Sequence, residues 1–444
     1  MLTFLDGTLT LRGTGSQPRG GLGSGRHHLE HGKVLVLRVA PALIFIGALL
    51  GIPAAVMSTS PAHADQVRER EYWLQDYGIE AAWSVTKGAG VRIAIIDTGI
   101  DGSHPDLLGA VVGGADFSGL GSFNGQTPVG SERRHGTMVA SLAAGRGNNG
   151  TDGVLGSAPE AQLLSLSMSF GGGIISPDEQ IAQAVRFAVD NQADIISLSL
   201  TRNTRDWPES WDDAFGYAED NDVVVIAAAG NRGSGTVAVG APATMPGVLT
   251  VGGVTQEGVA SDSASSQGIT IGVMAPSEGL VGAIPEGGYV SWSGTSGATP
   301  IVAGIVALVR AAYPTMDAAN VVNRILATAR PVGESIPDAL YGYGLVDAYA
   351  AVTAQVPLVD AHPLGTLDEW VTLHRRLEGS SIVVPLGPTN VAEEAPKTAD
   401  RAIAAAPDTR RDTLPYVVTG IFAVLLLLVL ASGTGLAWLR RGKR

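Results

Sequence analysis

The sequence predicts an α/β protein built on a parallel sheet flanked by helices, followed by one transmembrane helix near the carboxyl end. Three observations carry this expectation. Short runs of β-branched, apolar residues alternate with helical segments between residues 91 and 313, the pattern of strands joined through crossover helices. Several of those runs end on a residue with a reactive or polar head, and the carboxyl ends of parallel strands are where such sheets present functional groups. Residues 416–439, YVVTGIFAVLLLLVLASGTGLAWL, carry no charge and are long enough to cross a bilayer as a helix.

The elements follow in order. VRIAIIDTGIDGSHPDL, residues 91–107, reads as a strand closing on Asp97. RHGTMVASLAAG, residues 134–145, places His135 at the start of a helix of small residues. AQLLSLSM, residues 161–168, is the next strand. SPDE, residues 176–179, is a capping box with Pro177 at the first helical position, and Ile181, Val185 and Val189 then recur every four residues. A strand ADIISLSL at 193–200 and a helix near 211–219 lead to VVVIAAAG at 223–230, a buried strand that delivers Asn231 to the sheet's carboxyl edge. GTSGATP, residues 294–300, runs into the apolar PIVAGIVALVRAAY, so Ser296 falls at the amino end of a buried helix. There unpaired N–H groups and the helix dipole favour developing negative charge. Such alternation gives right-handed crossovers.

Composition narrows the class. The 444 residues are 45% hydrophobic and only 16% charged, enough for a large core, and 59 glycines suit a loop-rich enzyme. A net charge of −13 argues against nucleic acid as a partner. No cysteine is present, which excludes disulfides, a thiolate nucleophile and cysteine-ligated metals. The glycine clusters at 20–25 and 88–90 do not follow a strand, so neither supports a nucleotide site.

The chain ends suggest a compartment. The apolar run 39–57 is preceded by Lys33 and Arg38 and followed by Ala62-His63-Ala64, so residues 1–64 are expected to be a signal peptide with a long basic region, cleaved after Ala64, with an uncleaved amino-terminal anchor as the alternative. RRGKR, residues 440–444, follows the span 416–439. By the positive-inside rule that tail is cytoplasmic and the main domain, residues 65–355, is extracellular. Residues 356–413 are rich in Ala, Pro and charge and read as a flexible linker, with a short helix at 368–377.

Singly, Asp97, His135 and Asn231 also read as turn or cap residues. DTG marks aspartic proteases as well, but those need a second carboxylate, and no second DTG or DSG occurs. Jointly, DTGID with SHPDL, HGTMVAS, AAAGN and GTSGATP resemble the four signature segments of the subtilisin-like serine proteases, the subtilase family, in that family's order. The resemblance covers residues 72–352. The chain ends make it most similar to the membrane-anchored mycosins that accompany type VII secretion, although those usually carry disulfides.

The resemblance implies a serine endopeptidase with Ser296 as nucleophile, His135 as general base and Asp97 holding the imidazole. The oxyanion would be bound by the Asn231 amide and the Ser296 backbone N–H, each contributing about 3 kcal/mol. Substrate would lie between residues 171–174 and 199–201, touching Ser199 and Leu200, with Ala228, Ala229, Gly230 and Gly240 forming the primary pocket. Thr201 and Ser141 stand where glycine is usual, and Gly297 where a bulkier residue is usual. Arg232 reads either as a pocket-rim charge favouring acidic substrates or as a solvated surface residue. No cofactor is expected. Asp106 with residues 148–153 resembles a family calcium loop, yet Asn-Gly and Asp-Gly are also ordinary turn formers, and both readings stay open. Residues 68–83 resemble the mycosin amino-terminal extension, and folding without a cleaved prodomain is expected. The implied partners are polypeptide substrates, the membrane through one helix, and a type VII secretion complex. An alternative role is a structural component of that complex whose protease activity is dispensable.

Overall fold

The computed structural model describes residues 65–148, 152–171 and 175–375. In chain order its strands are β1 (Arg92–Asp97), β2 (Val111–Asp116), β3 (Arg146–Asn148), β4 (Asp152–Leu155), β5 (Gln162–Ser167) and β6 (Ile195–Leu198). There follow β7 (Val224–Ala228), β8 (Leu249–Val254), β9 (Ile271–Pro276), β10 (Leu280–Ala283) and β11 (Tyr289–Trp292). Seven of them form one sheet in the order β2-β5-β1-β6-β7-β8-β9, with every pairing parallel. β3 with β4 and β10 with β11 make two antiparallel hairpins. The central strands are covered on both faces, so β7 and β6 are buried at every position. This explains why β7 reads as a continuous apolar run rather than an alternating one.

Short helices α1 (Asp65–Arg68), α2 (Tyr72–Asp76) and α3 (Ile79–Ala82) precede the sheet. Trp73 and Leu74 bury α2, and Ile79 buries α3, in the main core. α4 (His135–Ala144) and α7 (Thr295–Ala312) pack on each other and on the sheet, while α5 (Pro177–Asp190) and α6 (Glu209–Asp220) form a second pair. Half of the capping box forms: the Ser176 hydroxyl accepts the Glu179 N–H at 3.3 Å, while the Glu179 carboxylate turns to Gln183 Nε2 at 2.9 Å. α7 is apolar and long enough to cross a membrane, but it is the core helix of this domain, buried along nearly its whole length. Gly304 permits this, since a Cβ there would lie 2.8 Å from the Ala143 carbonyl of α4.

α8 (Ala318–Ala327) and α9 (Ala348–Thr353) follow. The chain then stays on the domain past residue 355, through the first part of the segment expected to be a linker. Within it α10 (Leu367–His374) buries Leu367 and sets Trp370 against Trp207 with ring centroids 4.4 Å apart. Arg375 Nε pairs with Asp212 Oδ2 at 2.5 Å. Trp370 and Leu367 supply the apolar contacts that a free stalk would lack. The expected signal peptide 1–64, the remaining linker 376–413, the span 416–439 and the tail 440–444 lie outside the described residues.

Candidate active site

β1 lies between β5 and β6 and ends on Asp97. The buried carboxylate accepts the Thr98 N–H at 2.7 Å, and both its oxygens stand 2.8 Å from His135 Nδ1. His135 opens α4, which is seated by the Gly136 N–H donating to Thr98 Oγ1 at 3.0 Å. Gly136 is required at this crossing, because a Cβ would collide with the Gly99 carbonyl.

With Nδ1–H directed at a carboxylate, the neutral tautomer leaves Nε2 as an acceptor. Burial pulls the imidazole pKa down, but Asp97 outweighs it by charge and hydrogen bond, and the net shift is upward from 6.5. Nε2 is buried and has no partner among the described residues. The Trp292 indole stands edge-on to the imidazole, with centroids 5.8 Å apart and planes at 78°.

Ser296 is the second residue of α7. Its hydroxyl donates to the Ser199 carbonyl at 3.1 Å, and Ser199 Oγ donates back to the Ser296 carbonyl at 2.9 Å. The structure therefore brings Asp97 and His135 into direct contact, whereas Ser296 is hydrogen-bonded to the end of the β6 segment and not to His135. A shared packing unit links the two. Trp292, which walls His135, also lies 3.3 Å from where a Gly297 Cβ would stand, and Leu280 would meet that Cβ first. Glycine after Ser296 thus makes room for the indole.

Asn231 follows β7, and its Oδ1 accepts the Thr295 N–H at 2.8 Å and the Thr295 hydroxyl at 3.0 Å. Thr295 Oγ1 in turn accepts the Gly230 N–H at 3.1 Å. Because Oδ1 must be the acceptor, the network decides which way the amide is turned and leaves Nδ2 for another partner. Gly294, at φ 150°, keeps that side clear, since a Cβ would sit 3.1 Å from Nδ2.

Ser296 and Asn231 open on one cavity, shared with Ser199, Leu200, Thr201, Asn203, Ala228, Ser234 and Thr236. Of the residues expected to touch substrate, Ser199, Leu200 and Ala228 line it. Ala229, Gly230 and Gly240 do not. Ala229 is a buried residue just past β7 whose N–H reaches the Val251 carbonyl at 3.0 Å. Gly230 and Gly240 are close-packing glycines, the first facing the Thr236 and Thr201 methyls and the second the Arg202 carbonyl. Asn203, Ser234 and Thr236 were not legible as site residues. They sit in loops without periodicity, and the only signal was Thr201 in place of glycine. Residues 172–174 of the other expected substrate segment lie outside the described residues.

The remaining expectations resolve locally. The Arg232 guanidinium turns to the 261–265 loop, bonding the Ser265 and Ser261 carbonyls at 3.0 Å each and Asp262 at 3.2 Å, not to the cavity. Ser141 donates to Met138 O at 2.8 Å and accepts the Ala283 N–H at 3.1 Å, stitching α4 to β10 as glycine could not. Asp106 is buried, which raises its pKa, and it accepts the Val154 N–H at 2.8 Å and the Tyr289 hydroxyl at 3.2 Å. Among the described residues no group of three or more His, Asp or Glu side chains could hold a metal ion. Residues 149–151 of the candidate calcium loop lie outside them.

Residues 88–344 match the Subtilase family. Subtilisin DY of Bacillus licheniformis is 39% identical over 269 residues, 60% of this chain and 92% of that protein. Thermitase of Thermoactinomyces vulgaris is 36% identical over 285 residues, 64% of this chain and 96% of that protein. Among solved structures, MycP1 from Mycobacterium smegmatis is 29% identical with a TM-score of 0.56, covering 66% of this chain and 86% of MycP1. The MycP3 protease of the type VII (ESX-3) secretion system is 30% identical with a TM-score of 0.56, covering 67% and 90%. With the fold, the carboxylate–imidazole pair and these likenesses together, the chain belongs to the subtilase family and is a subtilisin-like serine endopeptidase similar to the mycosins.

Proposed function

We propose that this endopeptidase cuts exported polypeptides through Ser296, His135 and Asp97, with Asn231 Nδ2 and the Ser296 N–H binding the oxyanion. The observation that carries the reading is the buried Asp97–His135 pair whose Nε2 has no partner among the described residues. A buried polar atom left unpaired costs stability, which is rational where a reacting group must bind. Ser296 Oγ attacks the peptide carbonyl as its proton passes to Nε2, Asp97 stabilises the imidazolium, and the proton then goes to the leaving amine. Water hydrolyses the acyl-enzyme by the same relay.

The likeness to MycP1 and MycP3 and the uncharged span 416–439 support a membrane-anchored enzyme, domain outward, working beside a type VII secretion complex. A fluorophosphonate probe should label the wild type and not Ser296→Ala, and His135→Ala should label at least about 10²-fold more slowly. An unlabelled wild type would refute the catalytic reading. Secretion that continues in an unlabelled Ser296→Ala strain would favour the structural role, with proteolysis dispensable.

A further inference from the structure

We infer that the cavity beside Ser296 admits only small, uncharged side chains, so that this enzyme cuts after glycine, alanine or serine. The inference rests on the protease reading above, because it takes Ser296 and Asn231 to flank the scissile carbonyl. The side chain preceding that carbonyl then enters the cavity.

Size decides first. The free volume is about 30 Å³, room for about two water-sized groups. The cause is a bridge between its two walls. One wall is the segment after β6 and the other the segment after Asn231, and Thr236 Oγ1 donates to Asn203 Oδ1 across them at 2.7 Å. The Thr236 side chain is buried, with its methyl packed against Gly230. The Thr201 methyl adds to the crowding, 3.1 Å from the Cβ position of Gly230, where the Thr236 methyl lies at 2.6 Å. A leucine or aromatic side chain does not fit without breaking the bridge.

Charge decides next. Among the described residues the cavity walls carry hydroxyl, amide and apolar groups but no ionisable side chain. The arginines adjacent in sequence are engaged elsewhere: Arg202 Nη1 pairs with Asp178 at 3.0 Å, and Arg232 with Asp262 and two carbonyls. A lysine or glutamate side chain entering here would lose its water without gaining a counter-charge. The Ser234 hydroxyl suits a serine.

The test uses the full chain in detergent and peptides that differ only at the residue before the scissile bond, with fluorophosphonate labelling of the same preparation. Wild type should prefer alanine over phenylalanine or lysine by about 100-fold in kcat/KM. Asn203→Ala, at an exposed position, and Thr201→Gly should each narrow the alanine-to-leucine ratio, measured within each variant, about tenfold. Thr236→Ser, which keeps the hydroxyl, should retain the wild-type preference for alanine over phenylalanine. A labelled wild type that cuts after leucine or phenylalanine as fast as after alanine overturns the inference. Ratios unchanged in both Asn203→Ala and Thr201→Gly overturn the bridge as its cause. A wild type that is not labelled overturns the protease reading and this inference with it.

Discussion

Replacing Asn231 separates what its two amide atoms do. Oδ1 holds the buried Thr295 through two hydrogen bonds, at 2.8 and 3.0 Å, while Nδ2 is the atom assigned to the oxyanion. In Asn231→Ala both functions are lost. Removing the oxyanion donor costs about 3 kcal/mol in the transition state, so kcat should fall 10²- to 10³-fold. KM should change little, because the donor acts on charge that develops only during attack. The Thr295 N–H and hydroxyl are left without their acceptor, which costs about 1–3 kcal/mol of stability. Asn231→Asp keeps an acceptor for Thr295 and substitutes a carboxylate oxygen for Nδ2. It should be the more stable of the two variants and lose at least as much kcat, since negative charge now faces the developing oxyanion. Steady-state hydrolysis of an alanine-containing peptide reads the first effect and thermal unfolding the second. If either variant keeps kcat within about threefold of wild type, a factor of well under 1 kcal/mol, Asn231 does not bind the oxyanion.

Three further outcomes are expected. The upward shift of the His135 pKa by Asp97 means the acid limb of kcat/KM should lie above the ordinary histidine value. Asp97→Asn should move that limb down and lower the plateau about 10⁴-fold, in a pH–rate profile. The same shift stabilises the folded state at acid pH and is lost as pH rises through the folded value. Burial lifts Glu71 to about 8 against the pull of Arg68, whose Nε is 3.3 Å away. The folded state therefore holds this proton where the unfolded chain has released it. Stability should fall between about pH 4.5 and pH 8, and Glu71→Gln should flatten that part of the chemical-denaturation profile. Gly297→Met would drive its side chain into Leu280 and Trp292. It should cost about 1–3 kcal/mol, reduce kcat by shifting the wall of His135, and alter indole fluorescence; an unchanged melting temperature would contradict the packing described.

Much of the frame is legible in the sequence, and for local reasons. Continuous apolar runs mark β1 and β7 because a sheet covered on both faces imposes no alternation. Asp97 and Asn231 stand out because each directly follows or ends such a run, and the capping box marks the start of α5. The 294–313 segment reads correctly as a buried helix. What escapes is set by contacts distant in sequence. The extent of the folded domain is one case, since α10 holds to it through Trp207 and Asp212, more than 150 residues earlier, in a stretch whose composition suggests a stalk.

The residue order alone determined the strand–helix alternation, and with it which side chains would arrive at the carboxyl edge of the sheet, because hydrophobic period and strand ends are properties of neighbours in the chain. Tertiary structure alone decided that Ser296 hydrogen-bonds to Ser199, 97 positions away, that Arg232 turns from the cavity, and that Asn203 and Thr236, 33 apart, close its walls. These depend on the paths of loops held by packing and hydrogen bonds between distant segments, and no local pattern of residues encodes such a path.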